Sequence, residues 1–216
     1  MTRAPGDLVA PFDVDVSGDT LPEPSWDVAP GSEVCLLVDA VPRGDDAGGP
    51  PVRRLASARL GLVPSWATDP SGGASAAFAD VETVADERAT AEAVHARRGL
   101  VAVTGWRPSG DAPGPLLALP DDEVLLVAAV YEWWRAPAPA DGGPTRWLLS
   151  TALLTCPGAG AGGAAGATGA SGRLPVFVGA DVMDEWLDPD AEVDGDLLAG
   201  LVGEAHQVAG RLAARP

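Results

Sequence analysis

The sequence contains no lysine, no asparagine and no isoleucine, so all fourteen of its strongly basic side chains are arginines. The three missing residues have AT-rich codons, which points to a GC-rich genome and makes valine in place of isoleucine uninformative about design. Cysteine and histidine are scarce, at two each, and no CxxC or HxxxH spacing occurs. That leaves too few soft ligands for a zinc site, and neither a metal nor any other cofactor is expected. Cys35 and Cys156 sit in the apolar, strand-like strings EVCLLV and TALLTCP, where a thiol behaves as a small hydrophobe. No apolar run reaches the ~18 residues a membrane span needs. The opening MTRAPGDLVAPFDVD lacks both a charged-then-apolar signal pattern and a cleavage site. A soluble, cytoplasmic chain without a membrane partner is the expectation.

What is present is acid. Against 14 arginines stand 31 aspartates and glutamates, a formal net charge of −17 over 216 residues. Nucleic-acid affinity rests on cationic contacts to phosphate, so this balance opposes a generic DNA binder. The length suits a single domain over 1–216 with a sizeable apolar core. Four Pro/Gly/Asp-rich segments read as surface loops: Pro42 to Pro51, Arg107 to Pro115, Ala136 to Thr145 and Pro157 to Gly172. The last, 157–172, is nearly all Gly, Ala, Ser and Thr and is expected to be flexible. Between them lie short Val/Leu-rich runs whose length and flanking turns favour strands: Glu33 to Ala40, Val52 to Val63, Gly99 to Trp106, Leu116 to Leu119, Glu123 to Trp134, Arg146 to Thr155 and Leu174 to Val178. Glu82 to Arg98, charged throughout and free of Gly and Pro, reads as an amphipathic surface helix. Asp181, Asp184 and Glu185 suggest a capped short helix ending near Asp188-Pro189, and Asp196 to Ala205 a further one. This pattern is that of an α+β domain with a barrel-like antiparallel β core and peripheral helices.

Eight short blocks stand in a telling order: Trp26-Asp27-Val28-Ala29-Pro30, Gly61-Leu62-Val63-Pro64-Ser65-Trp66, Glu82-Thr83-Val84, Arg97 to Gly105, Val130 to Arg135, Trp147 to Thr155, Arg173-Leu174-Pro175-Val176 and Trp186-Leu187-Asp188. Each resembles a block of the SRAP family, the SOS response-associated peptidase-like abasic-site proteins, and together they cover about residues 20 to 190. Any one string is an ordinary strand or turn; the series identifies the chain as similar to that family. The resemblance implies a single SRAP-like domain.

The same resemblance implies a chemistry whose residues are mostly missing. Members expose a Cys after Met removal and use its amine and thiol to close a stable thiazolidine on the aldehyde of an abasic site in single-stranded DNA. Here that position is Thr2, whose hydroxyl is a far poorer nucleophile; the alternative reading is an ordinary frayed terminus. The family Asn that holds the amine aligns with Phe78, and a neighbouring family Arg with Asp80. Pro108 stands where the family Glu transfers protons, and Ser171 where a His assists ring opening. Glu132 belongs to a different strand and reads as structural. His95 and His206 read as solvated surface residues. Two DNA-facing groups of the family have counterparts, Trp66 as a stacking platform or a core-edge aromatic, and Arg173 as a phosphate-binding cation.

Three functions compete. One is a non-catalytic member with the scaffold and an unknown protein partner. Another is a residual enzyme acting on abasic DNA through the Thr2 α-amine. The third is an acidic interaction domain unrelated to DNA. Single-stranded DNA is thus a partner by resemblance and disfavoured by charge.

Overall fold

Strand pairing decides what this chain encloses. The computed structural model describes residues 10–18, 20–42, 48–108, 114–138, 143–158 and 172–215. Its strands are β1 (Val16–Ser17), β2 (Glu33–Ala40), β3 (Val52–Leu60), β4 (Phe78–Asp80), β5 (Arg98–Val103), β6 (Leu117–Ala118), β7 (Leu125–Arg135), β8 (Trp147–Pro157), β9 (Arg173–Pro175), β10 (Phe177–Val178) and β11 (Ala213–Ala214). Its α-helices are α1 (Ala91–Ala96), α2 (Ala180–Leu187) and α3 (Gly195–Arg211). Strands β3, β2, β5, β7 and β8 lie side by side in that order, and β3 pairs back onto β8 to close a five-stranded barrel. Closure removes the open edges that a sheet would otherwise present. The consecutive pairs are antiparallel; the closing seam is parallel, with Arg59 and Leu60 against Ser150 and Thr151. One α+β domain with few helices results, as the apolar pattern predicts.

The burial pattern follows from this closure. Residues Leu125–Val130 of β7 are all buried, because one face looks into the barrel and helices cover the outside. Helix α1 contacts β5 and β7, α2 contacts β5, and α3 lies on β10. A strand covered on both faces reads as a continuous apolar run rather than an alternating one. The run expected over Leu174 to Val178 is two strands on different partners: β9 pairs with β8, and β10 with β7.

The amphipathic helix expected over Glu82 to Arg98 is a correction. Only Ala91–Ala96 is helical, and residues 81–90 form successive turns. Side chains there offer the backbone other partners. Asp80 Oδ1 accepts from the Glu82 amide at 3.0 Å, the Thr83 hydroxyl donates to Glu87 at 2.6 Å, and the buried Thr90 hydroxyl donates to the Val84 carbonyl at 2.7 Å. Helix α2 begins at Ala180 with Gly179 as its N-cap and Asp181 within its first turn, so its start owes nothing to a side-chain cap. Helix α3 is longer than expected, and Asp194 caps it by accepting from the amides of Asp196 and Leu197 at 3.0 and 2.9 Å. The loop expected over 157–172 lies outside the described residues from 159 to 171.

One buried cation ties the helices to the barrel. Arg98, 4% exposed, donates to the carbonyls of Trp186 at 2.8 Å, of Val94, His95 and Ala191 at 3.1 Å each, and of Asp188. Several of these are carbonyls left without partners at the C-terminal ends of α1 and α2, where a cation also meets the negative pole of each helix. The Trp186 ring lies 5.7 Å from the guanidinium, and its Nε1 donates to the Gly99 carbonyl at 2.9 Å. Burial lowers the proton affinity of Arg98, against an opposing pull from Asp188.

Candidate functional site

The family-like positions that the structure brings together lie where β4, β8 and β9 run side by side. Strand β4 is parallel to β8, with Phe78 opposite Leu153 and Asp80 opposite Thr155; β9 is antiparallel to β8, with Arg173 opposite Pro157. Side chains alternate along β4. Ala79 is buried, whereas Phe78 is 48% exposed and Asp80 is half-buried. From the far side of β8, Arg173 Nη2 reaches Asp80 Oδ1 at 2.5 Å while Nη1 lies 3.5 Å from Glu82 Oε2. The same Nη2 donates to the Thr155 carbonyl at 3.0 Å. The cation expected to meet phosphate is therefore flanked by two carboxylates of its own chain.

Under this corner sits Cys156, fully buried. Burial pushes its thiol up to about 11, with Arg173 pulling down and Asp80 and Glu82 pushing further up. Cys35, also fully buried, is pushed to about 11 by burial. Thiols held so far above neutrality carry almost no thiolate at physiological pH and are poor nucleophiles.

Trp66 stands on the turn that follows β3. Gly61 adopts φ +126°, a conformation L side chains rarely take, and this turns the chain out of the barrel. Leu62 and Val63 are buried, and the Val63 amide donates to the Ser150 hydroxyl at 2.9 Å. Trp134 closes over the turn by donating its indole N–H to the Ala67 carbonyl at 2.7 Å. Trp66 itself is 54% exposed, and the Arg88 guanidinium lies 4.3 Å from its ring centroid. Its exposed ring thus already carries a cation on one face. Arg88 was not singled out in the sequence, because nothing in the spacing links it to Trp66.

The remaining positions separate. Pro108 is buried, just beyond the isolated bridge of Trp106 to Leu117. Glu132 is buried and has one oxygen on Arg97 at 2.9 Å and the other on the Trp133 amide at 2.9 Å. These two contacts hold the carboxylate in place between β7 and the Arg97 side chain. His95 is exposed on α1. His206 on α3 places Nε2 2.9 Å from the Pro157 carbonyl. Thr2 and Ser171 lie outside the described residues. Among the described residues no group of three or more His, Cys, Asp and Glu is arranged to hold a metal ion, and no helix is long and apolar enough to cross a membrane.

Comparisons with known proteins bear on the same fold. The family described as SOS response associated peptidase (SRAP) matches residues 1–214. The chain is similar to proteins named "Abasic site processing protein YoqW" from Bacillus subtilis strain 168 and from Bacillus phage SPbeta, each 25% identical over 219 residues, covering 94% of this chain and 87% of theirs. Among solved structures, a protein from Bordetella bronchiseptica matches with a TM-score of 0.66 at 16% identity, over 96% of this chain and 93% of that one. A phage-related protein from the same organism matches with a TM-score of 0.63 at 21% identity, over 99% of this chain and 91% of that one. At these identities the two structures speak for the fold.

Proposed function

We propose that this chain, which belongs to the SOS response associated peptidase (SRAP) family over residues 1–214, is a non-catalytic relative of abasic-site processing proteins that retains the scaffold and acts through protein contacts. The observation that carries this reading is the Arg173 corner. A family-like phosphate contact would need Arg173 to exchange Asp80 and Glu82 for a phosphate while the chain as a whole, at −17, repels the strand. Phe78, Pro108, Ser171 and Thr2 stand where the family has its Asn, Glu, His and Cys. Without the Glu no group takes or gives the proton, and without the Cys no thiol closes a ring. Trp66 offers a stacking face worth about 1–3 kcal/mol per base, with Arg88 lying over it.

The test is incubation with a single-stranded oligonucleotide carrying one abasic site. The expected result is no heat-stable adduct, no adduct trapped by borohydride, and weak binding of the undamaged strand at physiological salt. A heat-stable adduct absent with intact DNA overturns the reading. An adduct seen only after borohydride overturns it too, in favour of an imine at the chain's own amine.

A further inference from the structure

Away from the β4–β8–β9 corner, an open cleft of about 900 Å3 lies between Trp26 and the turn at Asp121–Asp122. Its floor comes from Leu116 and Leu119, and the C-terminal strand β11, paired with β6, forms one wall. Trp26 is 74% exposed, more than any other aromatic side chain among the described residues. An indole this open beside a concavity offers a stacking surface.

The charges around the cleft sort themselves. Asp122 is engaged by Arg215, and Glu123 just outside by Arg211 at 2.6 Å. Two lining charges remain. Arg107 donates to the Gly114 carbonyl at 2.6 Å and has no carboxylate within ion-pair reach among the described residues. Asp121 likewise has no cation or donor among them. The backbone at this turn is also unusual: Asp121 and Asp122 have φ of 53° and 60°, a left-handed pair that costs roughly 1–2 kcal/mol per residue. Strain of this kind persists where surrounding contacts over-determine it, and it gathers at ligand sites.

We propose that this cleft binds a small zwitterion with an aromatic or apolar body, an amino acid or a short peptide. The body lies on the Trp26 indole, the anionic end takes the Arg107 guanidinium, and the cationic end takes the Asp121 carboxylate. A ligand bearing both signs follows from one lining cation and one lining anion being left without an opposite charge among the described residues. A simple anion would leave Asp121 opposing it, and a simple cation would leave Arg107 doing so. Nothing in this depends on DNA or on the Arg173 corner.

The test is titration of the full chain with four probes, followed through the Trp26 indole N–H resonance: L-phenylalanine, the dipeptide Phe-Gly, 3-phenylpropionate and phenethylamine. At least one zwitterion is expected to bind about tenfold tighter than either singly charged probe, as the loss of one charge-assisted contact implies. Which zwitterion wins reads the spacing of the two charges. Arg107→Gln should erase the advantage over phenethylamine, Asp121→Asn the advantage over 3-phenylpropionate, and Trp26→Ala should weaken all four. These positions are exposed, and Asn tolerates the left-handed conformation, so circular dichroism should show all three variants folded. Equal or absent binding of the four probes overturns the proposal, as does an advantage that survives both charge substitutions.

Discussion

Two arginines set two regions of this molecule against each other. Arg98 is sealed among α1, α2 and β5, and its partners are backbone carbonyls. Arg173 lies at the surface across β8 and is held by the carboxylates of Asp80 and Glu82. The first arrangement solves a folding problem, since helix C-termini buried against a barrel need donors and one guanidinium supplies several. The second leaves a charged surface neutralised locally, which contributes little to folding because exposed ion pairs are worth about 0–1 kcal/mol. The contrast teaches that the buried arginine serves the architecture of the fold, whereas the surface one is matched by carboxylates of its own chain.

The largest expected effect tests the buried side of that contrast. Arg98→Met keeps the volume and removes every donor, leaving buried carbonyls without partners at about 1–3 kcal/mol each. Unfolding in urea should show a loss of about 3 kcal/mol or more. Arg98→Lys should recover less than half, because one ammonium cannot span carbonyls distributed over α1, α2 and the following turn. A loss below about 1 kcal/mol would mean that water replaces the guanidinium and that the region is not a clamp.

The barrel was legible in the sequence because its strands are Val/Leu runs cut by Gly and Pro turns, and closure needs little beyond that. The series of family-like blocks was equally legible, since those blocks are mostly strand and turn. Residues 82–90 were misread as helix because helix propensity counts charges and the absence of Gly and Pro, whereas the Thr83, Thr90 and Asp80 side chains bind backbone or neighbouring groups instead. The Arg98 clamp was invisible for a different reason: its acceptors are carbonyls, which every residue has. At the candidate site the sequence marked Asp80 as a lost cation and Arg173 as a kept one. That the two would meet depends on β8 lying between them, and no local spacing encodes it.

The second effect concerns the two thiols of the interior. Cys35 and Cys156 are raised to about 11 by burial, while in the unfolded chain a thiol titrates near ~8.5. Between those values the unfolded state has released protons that the folded state keeps, so stability is complete below pH ~8.5 and falls as pH rises towards 11. The loss is on the order of 2 kcal/mol per thiol at the upper end. Denaturation at pH 7, 9 and 10.5 should show the decline, and Cys35→Ala/Cys156→Ala should flatten it. At pH 8 neither thiol should react with a disulfide reagent until the chain is unfolded.

A smaller effect sharpens the surface side. Asp80→Asn with Glu82→Gln releases Arg173 from both carboxylates and reduces the net charge by two, from −17 to −15. Binding of an undamaged single strand at low salt should tighten about tenfold, and the slope of log K against log salt should steepen by about 0.7, one phosphate's worth on a single strand. No change in slope would show that Arg173 cannot face a strand even when unpaired, and the self-pairing would then be a consequence of the corner's shape rather than a block on binding.

The smallest effect separates field from occlusion at Trp66. Arg88 lies 4.3 Å from the ring centroid, an exposed cation–π contact of about 0.5–1 kcal/mol, so Arg88→Ala should lower stability by no more than that. The same substitution uncovers a ring face that a base could stack on. If the acidic field is what keeps strands away, uncovering the ring while removing a positive charge gains nothing, and oligonucleotide affinity should change less than twofold. If Arg88 acts as a lid, affinity should rise by the stacking term, about 1–3 kcal/mol or roughly five- to a hundredfold. Quenching of tryptophan fluorescence by a short oligonucleotide, compared between the native chain, Arg88→Ala and Arg88→Ala/Trp66→Phe, distinguishes the two. A rise that disappears with Trp66→Phe would move the block from the charge of the whole chain to one side chain, and would make the surface region recoverable by a single substitution where the buried region tolerates none.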